Sequence, residues 1–282
     1  MNSKLVLNAD DFGLSDYFNS AVYEGFHSGL LTSASLCANG EAFESAVSDV
    51  IPNCQGLSVG VHLNIMEGKS LTNAPLLTLS DGTFQNGYIS LILKSFNKDF
   101  MAQLEGEFRA QIEKVQSRVK VDHIDSHVHT HAIPNIFKLV AKLADEYNIP
   151  YIRTQFEKMY FVPSLKKHLN TKYPPNILKI ILLNTFTVIN RKTVKKYNLK
   201  TNDYLIGVGY TGMMDDETLL YGLKAFNKDC IIETLIHPCK YNDETTDSHS
   251  KEFLITQNQE LKKEINGMGI EFSNIISLVE QL

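Results

Sequence analysis

Lys4-Leu5-Val6-Leu7-Asn8-Ala9-Asp10-Asp11-Phe12-Gly13 decides the reading of this chain. A short apolar run of the length expected for a buried strand ends in two adjacent carboxylates, and Phe12-Gly13 supplies a sharp exit. Two acids after a strand can simply make a turn or begin to cap the next helix. In parallel α/β sheets, however, functional groups gather at the carboxyl ends of strands. The same arrangement recurs twice. Residues 57–61 lead into His62, and residues 121–124 lead into Asp125-Ser126-His127-Val128-His129-Thr130-His131. A carboxylate and two or more histidines delivered from separate strand ends can hold a divalent metal ion with a position left open for water. Hydrolysis is therefore the leading expectation.

Outward from these stretches, strand-like and helix-like segments alternate almost to the end. Ser15 is placed to cap a helix whose apolar face carries Phe18, Ala21, Val22, Gly25 and Phe26, and Gly29 ends it. Residues 32–38, 57–65, 121–125, 151–153, 204–208 and 231–236 read as strands. Helices are expected at 42–50, around Phe100, Leu104, Phe108, Ile112 and Val115, after Pro134, at 216–226 and from about Lys251. Residues 66–97 are loop-rich, with Gly68, Pro75, Asp81-Gly82 and Asn86-Gly87 as turn signals. Repeated β-α units predict an α/β fold, either a parallel barrel or a doubly wound sheet. With no repeat, low-complexity tract or linker, residues 1–282 read as one domain, elaborated by a basic helical insertion at about 160–203.

Each candidate site residue has a plain alternative. His62 alone could be a hydrogen-bonded strand histidine, and its weight comes from its companions. In extended backbone His127, His129 and His131 would share one face, whereas the alternative is a polar surface loop. Asp125 and His129 suit the role of orienting the ligands. His237 follows the strand 231–236 and is either structural or a proton donor, since imidazole titrates near neutral pH. Arg153 ends a strand, where it either holds a catalytic carboxylate ionised or contacts substrate. Its alternative is a surface ion pair with Glu157.

Composition narrows the classes. The net charge is -5 and the pI about 6.0, which gives no overall attraction to nucleic acid. Hydrophobic content of 43% and charged content of 21% are ordinary for a soluble globular protein. Cys37, Cys54, Cys230 and Cys239 are scattered with no C-x-x-C pair, as expected for reduced cysteines in a cytoplasmic protein. No secretory leader is expected. No stretch reads as a membrane span, because residues 177–189 are interrupted by Lys179, Asn184, Thr185 and Thr187.

Five blocks together resemble the YdjC-like carbohydrate deacetylase family. They are Asn8-Ala9-Asp10-Asp11-Phe12-Gly13-Leu14-Ser15, Gly29-Leu30-Leu31-Thr32-Ser33-Ala34-Ser35, Gly60-Val61-His62-Leu63, Asp125-Ser126-His127-Val128-His129 and Glu233-Thr234-Leu235-Ile236-His237-Pro238. They occur in family order across most of the chain. The resemblance implies a distorted or incomplete (β/α) barrel like that of polysaccharide deacetylases, and hydrolytic removal of acetyl groups from an amino sugar. It further implies that Asp11, His62 and His127 bind one divalent metal ion, zinc or magnesium, that Asp10 acts as base and that His237 acts as acid. The chain departs from the family in two places. Arg153 is followed by Thr154-Gln155 where a proline is common, and Cys239 follows His237-Pro238 where glycine is frequent, so the shape of the substrate pocket is open.

The insertion bears on the substrate. Lys166, Lys167, Lys172, Lys179, Arg191, Lys192, Lys195, Lys196 and Lys200 flank an apolar stretch at residues 177–189. Such a segment can rest on an anionic membrane surface, which suggests an N-acetylhexosamine on a polyprenyl phosphate and a cytoplasmic protein peripheral to the membrane. The alternatives are a helix that covers the barrel with a solvated basic face and a soluble chito-oligosaccharide substrate. A metal-dependent phosphoesterase or amidohydrolase ranks lower, because such barrels often place His-x-His on the first strand, where this chain has Asp10-Asp11. A non-catalytic sugar-binding protein is the remaining class.

Overall fold

A computed structural model describes residues 2–169, 171–226, 229–241 and 247–280; Asn170, inside the expected insertion, lies outside the described residues. Strands β1 (Ser3–Phe12), β2 (Ser33–Leu36), β3 (Ser58–Leu63), β4 (His123–Ser126), β5 (Tyr151–Ile152), β6 (Tyr204–Ile206), β7 (Ile231–Ile236) and β8 (Ile270–Phe272) form one sheet. The order is β5-β4-β3-β2-β1-β7-β6, with β8 beside the first residues of β1, and every ladder is parallel.

The sheet curls until its two ends nearly meet. Lys200 bridges β5, donating its N–H to Pro150 O (2.9 Å) and accepting from Ile152 N (3.0 Å), and Leu205 N reaches Phe156 O at 2.8 Å. The Asn202 amide accepts from Thr154 N (2.8 Å) and donates to Thr154 O (2.8 Å) across the same seam. A few backbone and side-chain bonds thus replace a strand, and the result is the expected incomplete (β/α) barrel.

Burial explains why these residues form the sheet. Leu5, Val6 and Leu7 are consecutive and all fully buried, as a parallel strand covered on both faces requires. The helix Pro134–Glu146 begins with proline and buries Ile136, Phe137, Val140 and Leu143. The helix Lys98–Gln116 is capped by Asn97, whose side chain accepts from Phe100 N (2.9 Å). Ser15 holds the cap position of the helix Asp16–His27 without capping through its side chain. Asn19 instead ties that helix down, accepting from Gly13 N (2.9 Å) and donating to Ala42 O (3.0 Å).

Residues 160–203 carry the helices Leu165–His168 and Tyr173–Lys196. The helix Tyr173–Lys196 packs on the helix Pro134–Glu146 through a mixed inner face that includes Asn176, Ile180, Leu183, Thr187 and Asn190. Asn190 donates to Ala132 O at 2.8 Å. No helix of the described residues is long and apolar enough to cross a membrane.

One close contact holds β3 against β4. A Cβ on Gly60 would lie 2.2–2.6 Å from the His123 ring atoms, and that ring is buried. Gly60→Ala is therefore expected to destabilise the fold by about 1–3 kcal/mol through overpacking. A denaturant midpoint equal to wild type would contradict this.

Candidate active site

Consecutive side chains of a regular strand face opposite sides of the sheet, so Asp10 and Asp11 could not share a cavity in ideal β1. The strand extends beyond the expected end at Ala9, and the two acids lie between its last pairs with β2, Ala9 with Ala34 and Phe12 with Leu36. The register with β2 shifts between Ala9 and Phe12, and Asp11 adopts φ 64°. This bulge re-aims the chain, and both carboxylates line one cavity of about 510 Å³ with His127, His129 and His237.

Asp11, His62 and His127 offer three ligand atoms that all lie within 4.8 Å of one another. His62 Nε2 is 3.4 Å from Asp11 Oδ1, and His127 Nδ1 is 2.8 Å from the same oxygen. His62 Nδ1 pairs with Asp125 Oδ1 at 2.7 Å, which turns Nε2 toward Asp11. A ligating histidine oriented by a carboxylate through its other nitrogen is the usual support of a metal site. This donor set, one carboxylate and two imidazoles from three strand ends, fits a divalent ion. Burial opposes charge on His62, but Asp125 and Asp10 outweigh it and lift its pKa to about 10. These carboxylates favour a proton on each ring nitrogen, and an ion bound at Nε2 would take the place of the proton there. Burial likewise disfavours the Asp11 carboxylate, yet hydrogen bonds from His127 and His62 hold it well below the usual range. A second group, Asp10 with His62 and Asp125, is also close. Its carboxylates are already engaged by Arg153, Asn8 and Ser35.

Arg153 is the fully buried hub of the site. Its guanidinium donates to both oxygens of Asp10 (2.8 and 2.7 Å), to Asp125 Oδ2 (2.6 Å) and to Glu233 Oε1 (2.5 Å). Tyr151 adds a bond to the other Glu233 oxygen at 2.9 Å. The expected alternative, an ion pair with Glu157, does not form. Glu157 is buried and accepts from the backbone N–H groups of Val208 (2.8 Å) and Gly209 (3.2 Å). Burial outweighs those bonds and raises its pKa to about 7.

The three alternate histidines do not share a face, because the backbone is not extended there. Residues 127–132 form a tight helical turn in which Val128 (φ 53°) and His129 (φ 56°) are left-handed. His127 turns to Asp11. His131 turns inward to Ser126 Oγ (2.5 Å) and Gln155. His129 lines the cavity, buried, and its Nδ1 has no hydrogen-bond partner. It therefore does not orient His62 or His127 through that atom. Burial, then the charges of Lys179 and Arg153, pushes its pKa well down, so it is neutral. Asp125, by contrast, meets His62 Nδ1 directly.

His237 enters the cavity from the end of β7. Glu252, from the helix Ser248–Gln257, accepts from the His237 backbone N (2.5 Å) and lies 3.2 Å from Nδ1. Burial works against the imidazolium, but Glu252 and then Asp11 and Asp10 overcome it and raise the pKa to about 9. The remaining wall comes from the insertion. Thr171, Lys172, Pro175, Asn176 and Lys179 line the cavity.

Sequence reasoning missed Glu233, Glu252 and Lys179 as parts of this site. Glu233 had a signal, an acid in the middle of the apolar strand Ile231–Ile236. Glu252 had none, because an acid on a mixed helix resembles any surface acid.

A family model described as YdjC-like protein matches residues 4–267. A carbohydrate deacetylase of Brevibacillus brevis is 40% identical over 149 residues, 52% of this chain and 58% of that protein. One from Clostridium beijerinckii is 38% identical over 161 residues, 56% of this chain and 63% of that protein. The matched region thus spans about 60% of the length of these curated relatives. Among solved structures, a protein of Enterococcus faecalis V583, provisionally described as a cellobiose-phosphate cleavage protein, superposes with TM-score 0.75 at 23% identity, covering 99% of this chain and 100% of that one. An uncharacterized protein of Agrobacterium tumefaciens C58 gives TM-score 0.52 at 10% identity, covering 99% and 89%. These two likenesses are of fold.

Proposed function

Because this chain belongs to the YdjC-like protein family, we propose that it hydrolyses the N-acetyl group of an amino sugar with the help of one divalent metal ion. The observation that carries this reading is a cavity where Asp10, Asp11, His127 and His237 meet and His62 stands behind. Asp11, His62 and His127 would hold the ion. When bound, it would supply Lewis acidity to a water molecule and to the amide carbonyl. Two imidazoles and one carboxylate suit zinc better than magnesium, which prefers oxygen.

The protein's own groups divide the proton work. Asp10 takes the proton from water as it attacks the carbonyl carbon, and Arg153 keeps that carboxylate oriented by binding both of its oxygens. His237, protonated up to about pH 9, gives its proton to the departing nitrogen as the C–N bond breaks. The products are acetate and a free amine.

The finer reading of the substrate is an N-acetylhexosamine on a polyprenyl phosphate, acted on at the cytoplasmic face of the membrane. Its support is the basic cavity wall at Lys172 and Lys179, which suits a phosphate beside the sugar. A soluble chito-oligosaccharide is the competing substrate.

The test is acetate release by zinc- or magnesium-loaded protein from chito-oligosaccharides and polyprenyl-phosphate-linked N-acetylhexosamines, with Asp10→Asn and His127→Ala as controls. Release that both controls lose supports the reading. No acetate from any substrate despite stoichiometric metal, or phosphate release from sugar phosphates instead, overturns it. A pH profile tests the acid. kcat/KM should fall as pH rises through about 9, where His237 loses its proton. Glu252→Gln removes the carboxylate that favours the charged ring, so this limb should move toward the ordinary histidine value near 6.5. A limb that stays in place would exclude His237 as the acid.

A further inference from the structure

We infer that the outer face of the helix Tyr173–Lys196 is a docking surface for an anionic lipid bilayer. The inner face of this helix is polar and apolar by turns and packs on the barrel. The outer face is different. Leu178, Ile181, Leu182, Val188 and Ile189 recur at helical spacing, and all are exposed, Leu178 by 70%, Ile181 by 55% and Val188 by 59%. The stripe is about 17 Å long at 1.5 Å per residue. Lys192 and Lys196 continue the same face one and two turns further on, and both are exposed. The shorter helix Tyr88–Lys94, whose Tyr88 packs on the same small cluster as Ile180 and Leu183, also exposes Ile89 and Leu93.

Charge selects the occupant. The chain carries a net charge of -5, yet between Glu157 and Asp203 it has lysines, one arginine and no acid. Apolar side chains on one helical face with lysines at its end suit the headgroup boundary of an anionic membrane. A second copy of the chain is disfavoured, because a symmetric contact sets the same patch against itself and would press these like charges together. The stripe is aliphatic, without the Trp, Tyr or Arg anchors that mark protein interfaces. The position of the helix gives docking a purpose. Its first turns, at Pro175, Asn176 and Lys179, line the catalytic cavity, so a docked helix places the cavity beside the lipid surface. This purpose rests on the lipid-linked reading above, although the physical contact does not.

The test is flotation of the full chain with phosphatidylcholine vesicles, with and without phosphatidylglycerol, together with its size-exclusion profile. Wild type should float with the anionic vesicles, and high salt should weaken it. Neutralising Lys192, Lys195 and Lys196 to Gln should weaken anionic binding about a hundredfold, from roughly 1 kcal/mol per lysine near the surface. Leu178→Ser with Ile181→Ser and Val188→Ser should abolish flotation while the thermal melt stays close to wild type, since these side chains are exposed. If that variant melts early, the lysine variant carries the test alone. Wild type that does not float, or binding that neither variant weakens, overturns the inference. So does concentration-dependent dimerisation that the stripe variant abolishes, which would assign the face to a second copy. Because flotation needs no turnover, failed acetate release leaves this result standing, and failed flotation leaves the deacetylase reading standing.

Discussion

Arg153→Met is expected to lower the stability of the fold by about 3–5 kcal/mol, the usual loss when one partner of a buried ion pair is removed. The guanidinium is fully buried and is shared by Asp10, Asp125 and Glu233, which are themselves almost wholly inaccessible. Methionine fills most of the volume but leaves these carboxylates in a dry interior with fewer donors. Arg153→Lys should recover only part of the loss, because an ammonium cannot span both Asp10 oxygens and two further acids at once. The effect should depend on pH. Burial disfavours ionised Asp125, but Arg153 and then His62 outweigh it and depress its pKa. A carboxylate with a depressed pKa contributes stability that is present above its unfolded value of 3.8 and lost as pH falls through the folded one. Wild type and Arg153→Met should therefore differ most near neutrality and converge in acid. Urea midpoints that coincide at pH 7 would show that the hub does not hold the barrel interior together.

Asp10→Asn and Asp11→Asn should fail in different ways although the residues are adjacent. Asp10 meets Arg153 and Asn8, and its proposed work is proton transfer. Its amide variant should keep the metal and lose about 10²–10⁴-fold in kcat, the range for removing a general base. Asp11 meets His62 and His127. Its variant removes a proposed ligand, so metal affinity should fall beyond the ~10–100-fold typical of losing only an orienting partner. Bound metal after dialysis against a chelator, measured beside acetate release, separates the two. Equal metal loss in both variants would refute the division of roles.

Much of the site was legible because strand ends write themselves into sequence. Apolar runs ending at Asp10-Asp11, His62, Asp125 and His237 mark the carboxyl edge of a parallel sheet, and that edge is where the structure brings them together. The strand 231–236 was read with its observed bounds, whereas β1 ran past its expected end, because pairing with β2 resumes at Phe12 after a bulge that holds the two acids. The histidine run misled in the opposite way. Alternation implied one shared face, but with left-handed backbone at Val128 and His129 only His127 and His129 reach the cavity, while His131 turns inward to Ser126 and Gln155. Histidine tolerates this backbone better than most residues, but a β-branched residue such as Val128 adopts it only where surrounding packing imposes it.

By itself the sequence determined the α/β class, the family and the ligand candidates, since residue type and period follow from local chemistry. Only the tertiary structure decided what each charged group meets. It gave Arg153 to Asp10, Asp125 and Glu233 instead of Glu157, set Glu252 beneath His237, and turned one side of the insertion into a cavity wall while leaving the other exposed. Ion-pair partners and helix faces depend on distances between residues far apart in the chain, and a linear pattern carries no such distances.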